Sequence, residues 1–276
     1  MALLTLTTDI GQQDFIIGAI KGQLLQQIPG ATIIDITHDL SAFNLPQAAY
    51  LCRNAIRNFP ADTIHLILIN VFDEKSAGLL VATHRGQHIC CANNGLLTML
   101  LEGLPERVAA LSTDPNDPKT ILYISARFAR AIAQLQAGLP LDQIGDIHTQ
   151  IQIKNALRPK TGLNWIEGQI IFVDHFENVV VNITRQEFEE QRKGRSFKIV
   201  FRRDEVIDKI SDTYADVYEG EKLALFNSAG HLEIAINKGN AAGLFGLRGF
   251  NEKQEGMQHQ LMNAQLFYQS IKIFFD

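Results

Sequence analysis

Two acidic residues near the start of the chain stand where a fold could use them to bind a polar ligand. Asp9 follows the apolar run Leu3–Leu6, and Asp14 opens the apolar-periodic segment that comes next. At the carboxyl end of the first strand of an open α/β sheet, side chains face the crevice in which ligands usually bind. A carboxylate there can accept hydrogen bonds from a ribose diol, but either aspartate can equally cap the following helix. Position alone leaves both roles open.

Polar residues in the second half of the chain form two more candidate binding segments. Asp174 and Asn178 lie in VDHFENVVVNI, where an acid and an amide flank an aromatic residue and could hold an amine and an adenine edge. An ordinary turn explains them as well and is preferred for this stretch alone. The segment Asn227–Gly230 presents backbone N–H groups and a hydroxyl that could take a carboxylate. A plain hairpin turn is the alternative there.

Three further features favour structural roles. His38, in ITHDL, could act as a base, but a lone histidine beside an acid in a loop is more often a structural hydrogen-bonder. Phe43 offers either a stacking surface or a core side chain, and the core is preferred. The charged run Arg185–Arg195 is interpreted as a solvated face. The sequence contains no Walker loop, no glycine-rich dinucleotide fingerprint and no zinc-type motif.

The first half of the chain alternates strand-like and helix-like segments. Helical spacing of apolar residues predicts helices over Asp14–Ile28, Leu45–Phe59 and Arg127–Ala137. Apolar or β-branched runs predict strands at Leu3–Leu6, Ala31–Ile36, Thr63–Val71, Leu79–Thr83, His88–Ala92 and Thr120–Ile124. This alternation predicts a sheet with helices on its faces.

The second half has a different character. The polar stretch Lys154–Asn164 carries turn-forming residues and is predicted to be a linker. Short strand runs follow, at Gly168–Asp174, Val179–Ile183, Phe197–Phe201, Lys222–Asn227, Leu232–Ile236 and Leu266–Phe275, with one possible short helical turn at Arg185–Gln191. We therefore predict an α/β N-terminal domain at 1–153, a linker at 154–164 and an all-β C-terminal domain at 165–276, which is an antiparallel barrel or sandwich.

Composition and charge exclude several classes of function. The chain has 276 residues and a net charge of −5, which gives no electrostatic reason to expect nucleic acid or an anionic membrane as a partner. Its three cysteines, two of them adjacent, make a poor disulfide framework and lack metal-ligand spacing. We expect buried, reduced thiols in a cytoplasmic protein. A secretory signal and a membrane span are not expected, because no apolar run approaches the roughly 20 residues a span needs.

Several stretches together are more specific than each is alone. In order along the chain they are TTDIGQQDFIIGAIKG, DITHDLSAFNLPQAAYLCRNAIRNFPADTIHLILI, NNGLL, VDHFENVVVNI and NSAGHLEIAINKGNAA. With them the chain resembles the S-adenosylmethionine (SAM) hydroxide adenosyltransferase family, which also contains the fluorinases and chlorinases. The resemblance runs from Leu4 to about Gly249.

The resemblance implies a binding site and an assembly. Family members have an N-terminal α/β domain and a C-terminal β-barrel, form homotrimers, and bind SAM at subunit interfaces; no metal and no cofactor besides SAM itself is implied. Carried over by motif, the binding residues are Asp9 for the ribose hydroxyls, Phe43 beside the ribose, Asp174 for the methionine amine, Ser228 for its carboxylate, and Asn178 with the backbone around Asn240 and Ala241 for the adenine.

The chain departs from the family at the catalytic positions. Hydrolytic members hold the attacking water with an aspartate, an arginine and a histidine. In this chain the aspartate position is Asn70 and the histidine position is Tyr123. The arginine position falls near Ser76–Ala77. Halogenases also have tyrosine at the histidine position, but they have tyrosine and not asparagine at the aspartate position. Neutral asparagine cannot act as a base. Each lost electrostatic group is expected to cost ~10²–10³ in rate. Asn93 and Glu177 depart from the family's aspartate and glycine.

Three functions follow as hypotheses. The main one is hydrolysis of SAM, with water or hydroxide displacing methionine at the ribose C5′ atom to give adenosine and methionine. The alternative is a pseudo-enzyme that binds SAM or adenosine without turnover. The third is halide-dependent adenosyl transfer, which rests on Tyr123 alone.

Overall fold

The computed structural model describes residues 2–73, 78–114, 116–202, 205–247 and 269–276. The chain divides into two compact units, Met1–Ala156 and Leu157–Asp276. Each unit has its own hydrophobic core.

The first unit is built on a six-stranded sheet. Its strands are β1 (Leu3–Thr8), β2 (Thr32–Thr37), β3 (Ile64–Leu68), β4 (Leu79–His84), β5 (Gln87–Ala92) and β6 (Arg107–Leu111), in the order β2-β1-β3-β5-β4-β6. β1 pairs in parallel with β2 and β3, β3 pairs in parallel with β5, and β4 runs antiparallel to β5 and β6. The carboxyl ends of β1, β2, β3 and β5 therefore lie at one edge of the sheet.

Helices cover both faces of this sheet. They are α1 (Ile16–Gln27), α2 (Leu45–Ile56), α3 (Leu96–Leu101), α4 (Ile121–Gln136) and α5 (Leu141–Ile144). Alternate residues of β3 point to opposite faces: Leu66 joins the core that contains Ile20 of α1 and Phe128 of α4, while Ile67 joins the core that contains Ala48 of α2. This burial on both faces explains the unbroken apolar run of β3.

Side-chain caps decide two of the sequence predictions near the candidate site. Thr120–Ile124 was predicted to be a strand, which is wrong: α4 begins at Ile121, because the Thr120 hydroxyl caps the helix by accepting the N–H of Tyr123 at 3.2 Å. At the start of α1, Asp14 Oδ1 accepts the N–H of Ile16 at 2.8 Å. Phe15 is the N-cap residue of α1, but it is Asp14, and not Asp9, whose side chain accepts an N–H at the start of this helix.

The second unit is an antiparallel, nearly closed barrel, which confirms the predicted fold class. Its strands are β7 (Lys160–Thr161), β8 (Trp165–Val173), β9 (Val179–Thr184), β10 (Phe197–Arg202), β11 (Glu205–Ile207), β12 (Lys222–Phe226), β13 (His231–Ile236) and β14 (Ser270–Phe275). The order is β11-β10-β14-β8-β9-β13-β12, with β7 on β8. A bridge between Ile210 and Ala224 joins the chain beyond β11 to β12 at the other end of that path. Residues 266–268 of the predicted last strand lie outside the described residues.

The charged run after β9 contributes to the core. It forms α6 (Arg185–Arg192), started by a capping box between Thr184 and Glu187. Phe188 is fully buried, and its ring centroid lies 5.1 Å from that of Phe197 and 5.8 Å from that of Phe275. The interpretation of this run as only a solvated face is therefore wrong at Phe188, since one side of the helix packs on the barrel.

The single tryptophan lies in this unit. Trp165 begins β8, and the ammonium of Lys272 stands 4.2 Å from its ring centroid. Gly162 packs directly on the indole, because a Cβ at that position would lie 2.2 Å from the indole nitrogen.

The three cysteines are free and buried, as predicted. Burial raises the pKa of Cys52 and of Cys91 to about 12, and raises that of Cys90 as well. These thiols stay protonated, and thiolate is the reactive form. In the part of the chain that the structure describes, no helix is both long and apolar enough to cross a membrane.

Candidate functional site

Asp9 ties two loops together at the carboxyl edge of the first sheet. Its Oδ2 accepts the backbone N–H of Asn70 at 3.0 Å, after β3, and that of Phe43 at 3.2 Å, after β2. Both donors have left-handed backbones, with φ of 45° at Asn70 and 64° at Phe43. Such values are uncommon outside glycine. The structure thus brings three of the predicted site residues into direct contact.

One oxygen of the Asp9 carboxylate is still available. Within the described ranges Oδ1 receives no hydrogen bond, and a carboxylate has about four acceptor positions. The side chain is only partly buried. Asp9 can therefore hold both loops and accept hydrogen bonds from a ligand at the same time.

Phe43 is not a core residue, which corrects the preferred interpretation of the sequence. It is 66 % exposed and lies one residue before Asn44, the N-cap of α2, whose side chain accepts the N–H of Gln47. Phe15 and Phe72, in the loops after β1 and β3, are 71 % and 50 % exposed. Three loops leaving this edge thus each present an apolar ring to solvent.

His38 lies behind this edge as a structural residue, as favoured from the sequence. It is buried, with Nδ1 3.0 Å from the Thr8 hydroxyl and Nε2 3.2 Å from Asp35 Oδ1. Burial raises the pKa of Asp35, but its bonds to Lys21 and His38 outweigh burial and lower that pKa overall. His38 therefore helps to fix the end of β2 beside Asp9.

Asn94 holds the loop that contains Asn70. Its side-chain amide donates to the carbonyls of Ile69 at 2.9 Å and Asn70 at 3.0 Å, and its Oδ1 accepts the N–H of Leu96 at 3.1 Å. Asn94 is buried, so these bonds are shielded from water. The sequence drew attention to Asn93 and missed this role of its neighbour.

Tyr123 is engaged by two residues that sequence reasoning did not single out. Its hydroxyl donates to Asp117 Oδ1 at 2.6 Å, and Arg127 Nη1 lies 3.2 Å from both Asp117 Oδ2 and the Tyr123 oxygen. The Tyr123 hydrogen bond and the nearby Arg127 charge lower the pKa of Asp117. No hydrogen bond among the described residues joins Tyr123 to Asn70. The segment Ser76–Ala77, predicted at the arginine position, lies outside the described residues.

In the second unit, Asp174 and Asn178 form one turn. Asp174 Oδ1 accepts the N–H groups of Phe176 and Asn178 at 2.9 and 2.8 Å, and Oδ2 accepts the Asn178 side-chain amide at 3.0 Å. The Glu177 carbonyl then accepts the N–H of Ala242 at 2.8 Å. The turn preferred from the sequence is present, and it is joined to the loop that contains Asn240 and Ala241.

The side chain of Asn240 has a structural partner. Its Oδ1 accepts the N–H of Gly243 at 2.6 Å, within the short 3₁₀ turn Ala242–Phe245. Ala241 is fully buried. The loop can therefore contact a ligand through its backbone groups and through the exposed side-chain NH₂ of Asn240.

The turn between β12 and β13 carries Ser228. Asn227 Oδ1 accepts the N–H groups of Ala229 at 3.0 Å and His231 at 3.2 Å, which closes a hairpin turn as the sequence allowed. Ser228 is exposed at its tip. Its hydroxyl makes no hydrogen bond within the described part of the chain, so it is available to a ligand.

A buried acid lies next to these turns and was missed by sequence reasoning. Glu233, on β13, is 3 % exposed, and its Oε1 accepts the hydroxyl of Tyr214 at 2.7 Å. Burial raises the pKa of Glu233; the charge of Asp174 adds to the increase, while hydrogen bonds from Tyr214 and Asn227 oppose it. Burial also raises the pKa of Tyr214. Glu233 stands in β13 among apolar residues and His231, and the strand pattern gives no signal for a ligand role.

No group of three or more histidine, cysteine, aspartate or glutamate side chains in the described ranges could hold a metal ion. The polar groups at both candidate regions are carboxylates, amides, a hydroxyl and backbone groups, the types that bind polar organic ligands.

Family models match both units. The SAM hydroxide adenosyltransferase N-terminal domain matches residues 4–145, and the SAM hydroxide adenosyltransferase C-terminal domain matches residues 168–252. The chain belongs to this family. Asp9 and Asp174, each at the end of a strand and each organising a turn, lie within the matched ranges.

Curated relatives carry two kinds of name. The chain is 27 % identical over 267 residues to an (R)-S-adenosyl-L-methionine hydrolase of Thermus thermophilus, covering 92 % of this chain and 97 % of the relative. It is 25 % identical over 270 residues to a fluorinase of an Actinoplanes species, covering 85 % and 91 %. An uncharacterized conserved protein of Thermotoga maritima has the same fold, with a TM-score of 0.78 at 24 % identity over 98 % of this chain and 99 % of the other.

Proposed function

We propose that this protein binds SAM and cleaves it to adenosine and methionine, with water or hydroxide displacing methionine at the ribose C5′ atom. Family membership and the hydrolase name of the Thermus relative support this function. The observation that carries it is the Asp9 carboxylate, which stands at the end of β1 with one oxygen free.

The ligand contacts follow from the available groups. Asp9 Oδ1 accepts the ribose hydroxyls, and the exposed ring of Phe43 lies against the sugar. In the second unit, Asp174 receives the methionine ammonium and Ser228 its carboxylate. Asn178 and the backbone at Asn240 and Ala241 contact the adenine.

The reaction requires little covalent catalysis from the protein. Neutral methionine leaves the sulfonium as the nucleophile attacks in line, so alignment and exclusion of water supply most of the rate. Asn70 and Tyr123 occupy the family's water-holding positions. Neither acts as a base, because Asn70 is neutral and the Tyr123 hydroxyl already donates to Asp117. We therefore propose slow turnover.

Incubation of the purified protein with SAM tests this function. Chromatography should show adenosine and methionine in equal amounts above a buffer control, and Asp9→Asn should reduce both products. If wild-type protein forms no adenosine above the control, the hydrolytic function is refuted.

The alternative is a protein that binds SAM or adenosine without turnover. It is favoured by the Tyr123 hydroxyl, which is held by Asp117 and Arg127, and by the neutral amide at Asn70. Calorimetric binding of SAM without products would support it; absence of binding by any adenosyl compound would exclude it. Halide-dependent transfer requires a 5′-halo product that appears only with chloride or fluoride.

The proposed assembly is the homotrimer implied by the family, with binding groups from different subunits. Light scattering coupled to size-exclusion chromatography should give a mass of three chains. A monomer that still binds SAM would contradict a shared site.

A further inference from the structure

Glu233 is a buried carboxylate in the interior of the second unit's sheet. On β13 it lies opposite Leu225 of β12 and Val180 of β9, and it is 3 % exposed. An ionised carboxylate in such a place is costly unless it is paired or hydrogen-bonded. Its partners therefore indicate why an acid stands there.

The partners of Glu233 are donors on two separate segments. Tyr214 donates its hydroxyl at 2.7 Å, and the Asn227 side chain also hydrogen-bonds to it. The Asn227 oxygen meanwhile accepts two N–H groups of the turn that presents Ser228. Glu233 thus orients Asn227, and Asn227 shapes the Ser228 turn.

The charge around Glu233 is unbalanced. Asp174 is close enough to act on it electrostatically, and no lysine, arginine or histidine of the described residues forms an ion pair with it. Two like charges in one site raise the free energy unless a proton or a cation lies between them. A ligand ammonium supplies that cation.

We propose that Glu233 is the positioning residue of an amino-acid subsite: through Asn227 it fixes the turn that carries Ser228, and together with Asp174 it selects a ligand with an ammonium group. This inference rests on the proposed function and names the part of the ligand that this unit recognises. It predicts that adenosyl compounds lacking the amino acid gain nothing from Glu233.

Binding should be linked to a proton. Burial raises the pKa of Glu233, so its carboxyl keeps a proton to higher pH than an ordinary glutamate does. Because an ammonium favours the ionised form, the affinity for SAM should rise with pH through the range in which Glu233 titrates. Among the described residues, the groups that act on the pKa of Glu233 are Tyr214, which contacts it at 2.7 Å, Asp174 through its charge and Asn227 through a hydrogen bond. Tyr214→Phe removes a hydrogen bond that stabilises the ionised form, so it should move the pH profile to higher pH.

The test compares two ligands in calorimetry. SAM carries the ammonium and a positively charged sulfonium, whereas 5′-methylthioadenosine keeps the adenosyl and methyl groups on a neutral thioether sulfur and lacks the amino acid. Glu233→Gln should weaken SAM binding about tenfold, because the negative charge that attracts the ammonium is lost and the hydrogen bond that holds Asn227 becomes a neutral one. The variant should also flatten the pH profile of SAM binding. The same variant should bind 5′-methylthioadenosine as wild type does. The control is Glu219→Gln, an exposed acid of the same unit paired with Lys238, which should change neither affinity.

The outcomes separate this inference from the function on which it rests. Suppose that wild type binds both ligands, and that Glu233→Gln binds each ligand with the affinity of wild type and with an unchanged pH profile. The role of Glu233 is then refuted and the proposed function stands. If wild type binds neither ligand, both are refuted. If Glu233→Gln does not fold, Tyr214→Phe decides: an upward shift of the SAM profile supports the inference, and an unshifted profile overturns it.

Discussion

Asp9→Asn separates the two roles assigned to the carboxylate at the end of β1. The amide keeps one oxygen that can accept the N–H groups of Phe43 and Asn70, so both loops should remain in place. The oxygen that faces the ligand becomes an NH₂ group, to which the ribose hydroxyls can only act as acceptors, so the charge-assisted hydrogen bonds to the diol are replaced at best by neutral ones. We therefore expect a folded variant with weakened binding of ribosides.

The size of the effect follows from the number of hydrogen bonds. A bond to a charged group contributes about 1.5–3 kcal/mol and a neutral one about 0.5–1.5 kcal/mol, a difference of about 1 kcal/mol. A diol makes two such bonds to Asp9, so the expected loss is about 2 kcal/mol, or roughly 30-fold in affinity. The two structural bonds weaken by a similar amount at most, which urea unfolding measures separately.

The assay is calorimetry with adenosine and with 2′,3′-dideoxyadenosine, on wild type and on Asp9→Asn. In wild type, removal of the diol should weaken binding strongly; in the variant, its removal should matter much less. The control is Asp62→Asn, an exposed acid ahead of β3, at the opposite edge of the sheet. It should bind both nucleosides as wild type does.

One result would refute the reasoning about Asp9. If Asp9→Asn weakens adenosine and 2′,3′-dideoxyadenosine by the same factor, the carboxylate acts only through the loops that it ties together. Unchanged affinity for adenosine would show that Asp9 does not contact the sugar at all.

Three further predictions concern stability. Burial, with the nearby His88, lowers the pKa of His65 to about 4. Below about pH 6.5 the unfolded chain therefore binds a proton at His65 that the folded chain does not bind. The free energy of unfolding should fall as pH drops from about 6.5, by about 3 kcal/mol at pH 4. Urea unfolding at several pH values should show this slope, and its persistence in His65→Gln would contradict the assignment. Asn94→Ala leaves two carbonyls of the loop around Asn70 without their donor and should cost about 1–3 kcal/mol in the same assay; a cost near zero would mean that the loop does not depend on it. Tyr123→Phe removes the hydrogen bond to Asp117 and should lower the urea midpoint slightly while leaving SAM affinity unchanged, so weakened SAM binding would place this hydroxyl on the ligand.

Much of the fold could be predicted because its signals are local. The apolar run of β3 and the helical spacing of α1 record burial directly, and the alternating segments predict the layered first unit. The second unit was predictable as an antiparallel barrel for the same reason. The strand predicted at Thr120–Ile124 is wrong because the Thr120 hydroxyl caps a helix there, and this cap outweighs the strand preference of the β-branched run.

The candidate site was predictable in position but not in its contacts. Asp9 could be placed at a strand end, but its bonds to Phe43 and Asn70 join residues 34 and 61 positions away. Exposure of Phe43 depends on a left-handed backbone and on where α2 begins, which the residue type does not reveal. The sequence around Glu233 gives no local signal either, because the role proposed for Glu233 depends on Tyr214 and Asp174, which lie on other segments.

The position of Trp165 gives the protein a built-in optical probe. Since the only indole lies in the second unit, against Gly162 and Lys272, fluorescence excited at the red edge of tryptophan absorption reports on the barrel alone. Circular dichroism in the far ultraviolet is dominated by the helices, most of which belong to the first unit. The two signals recorded in one titration therefore show whether the units melt together or one after the other.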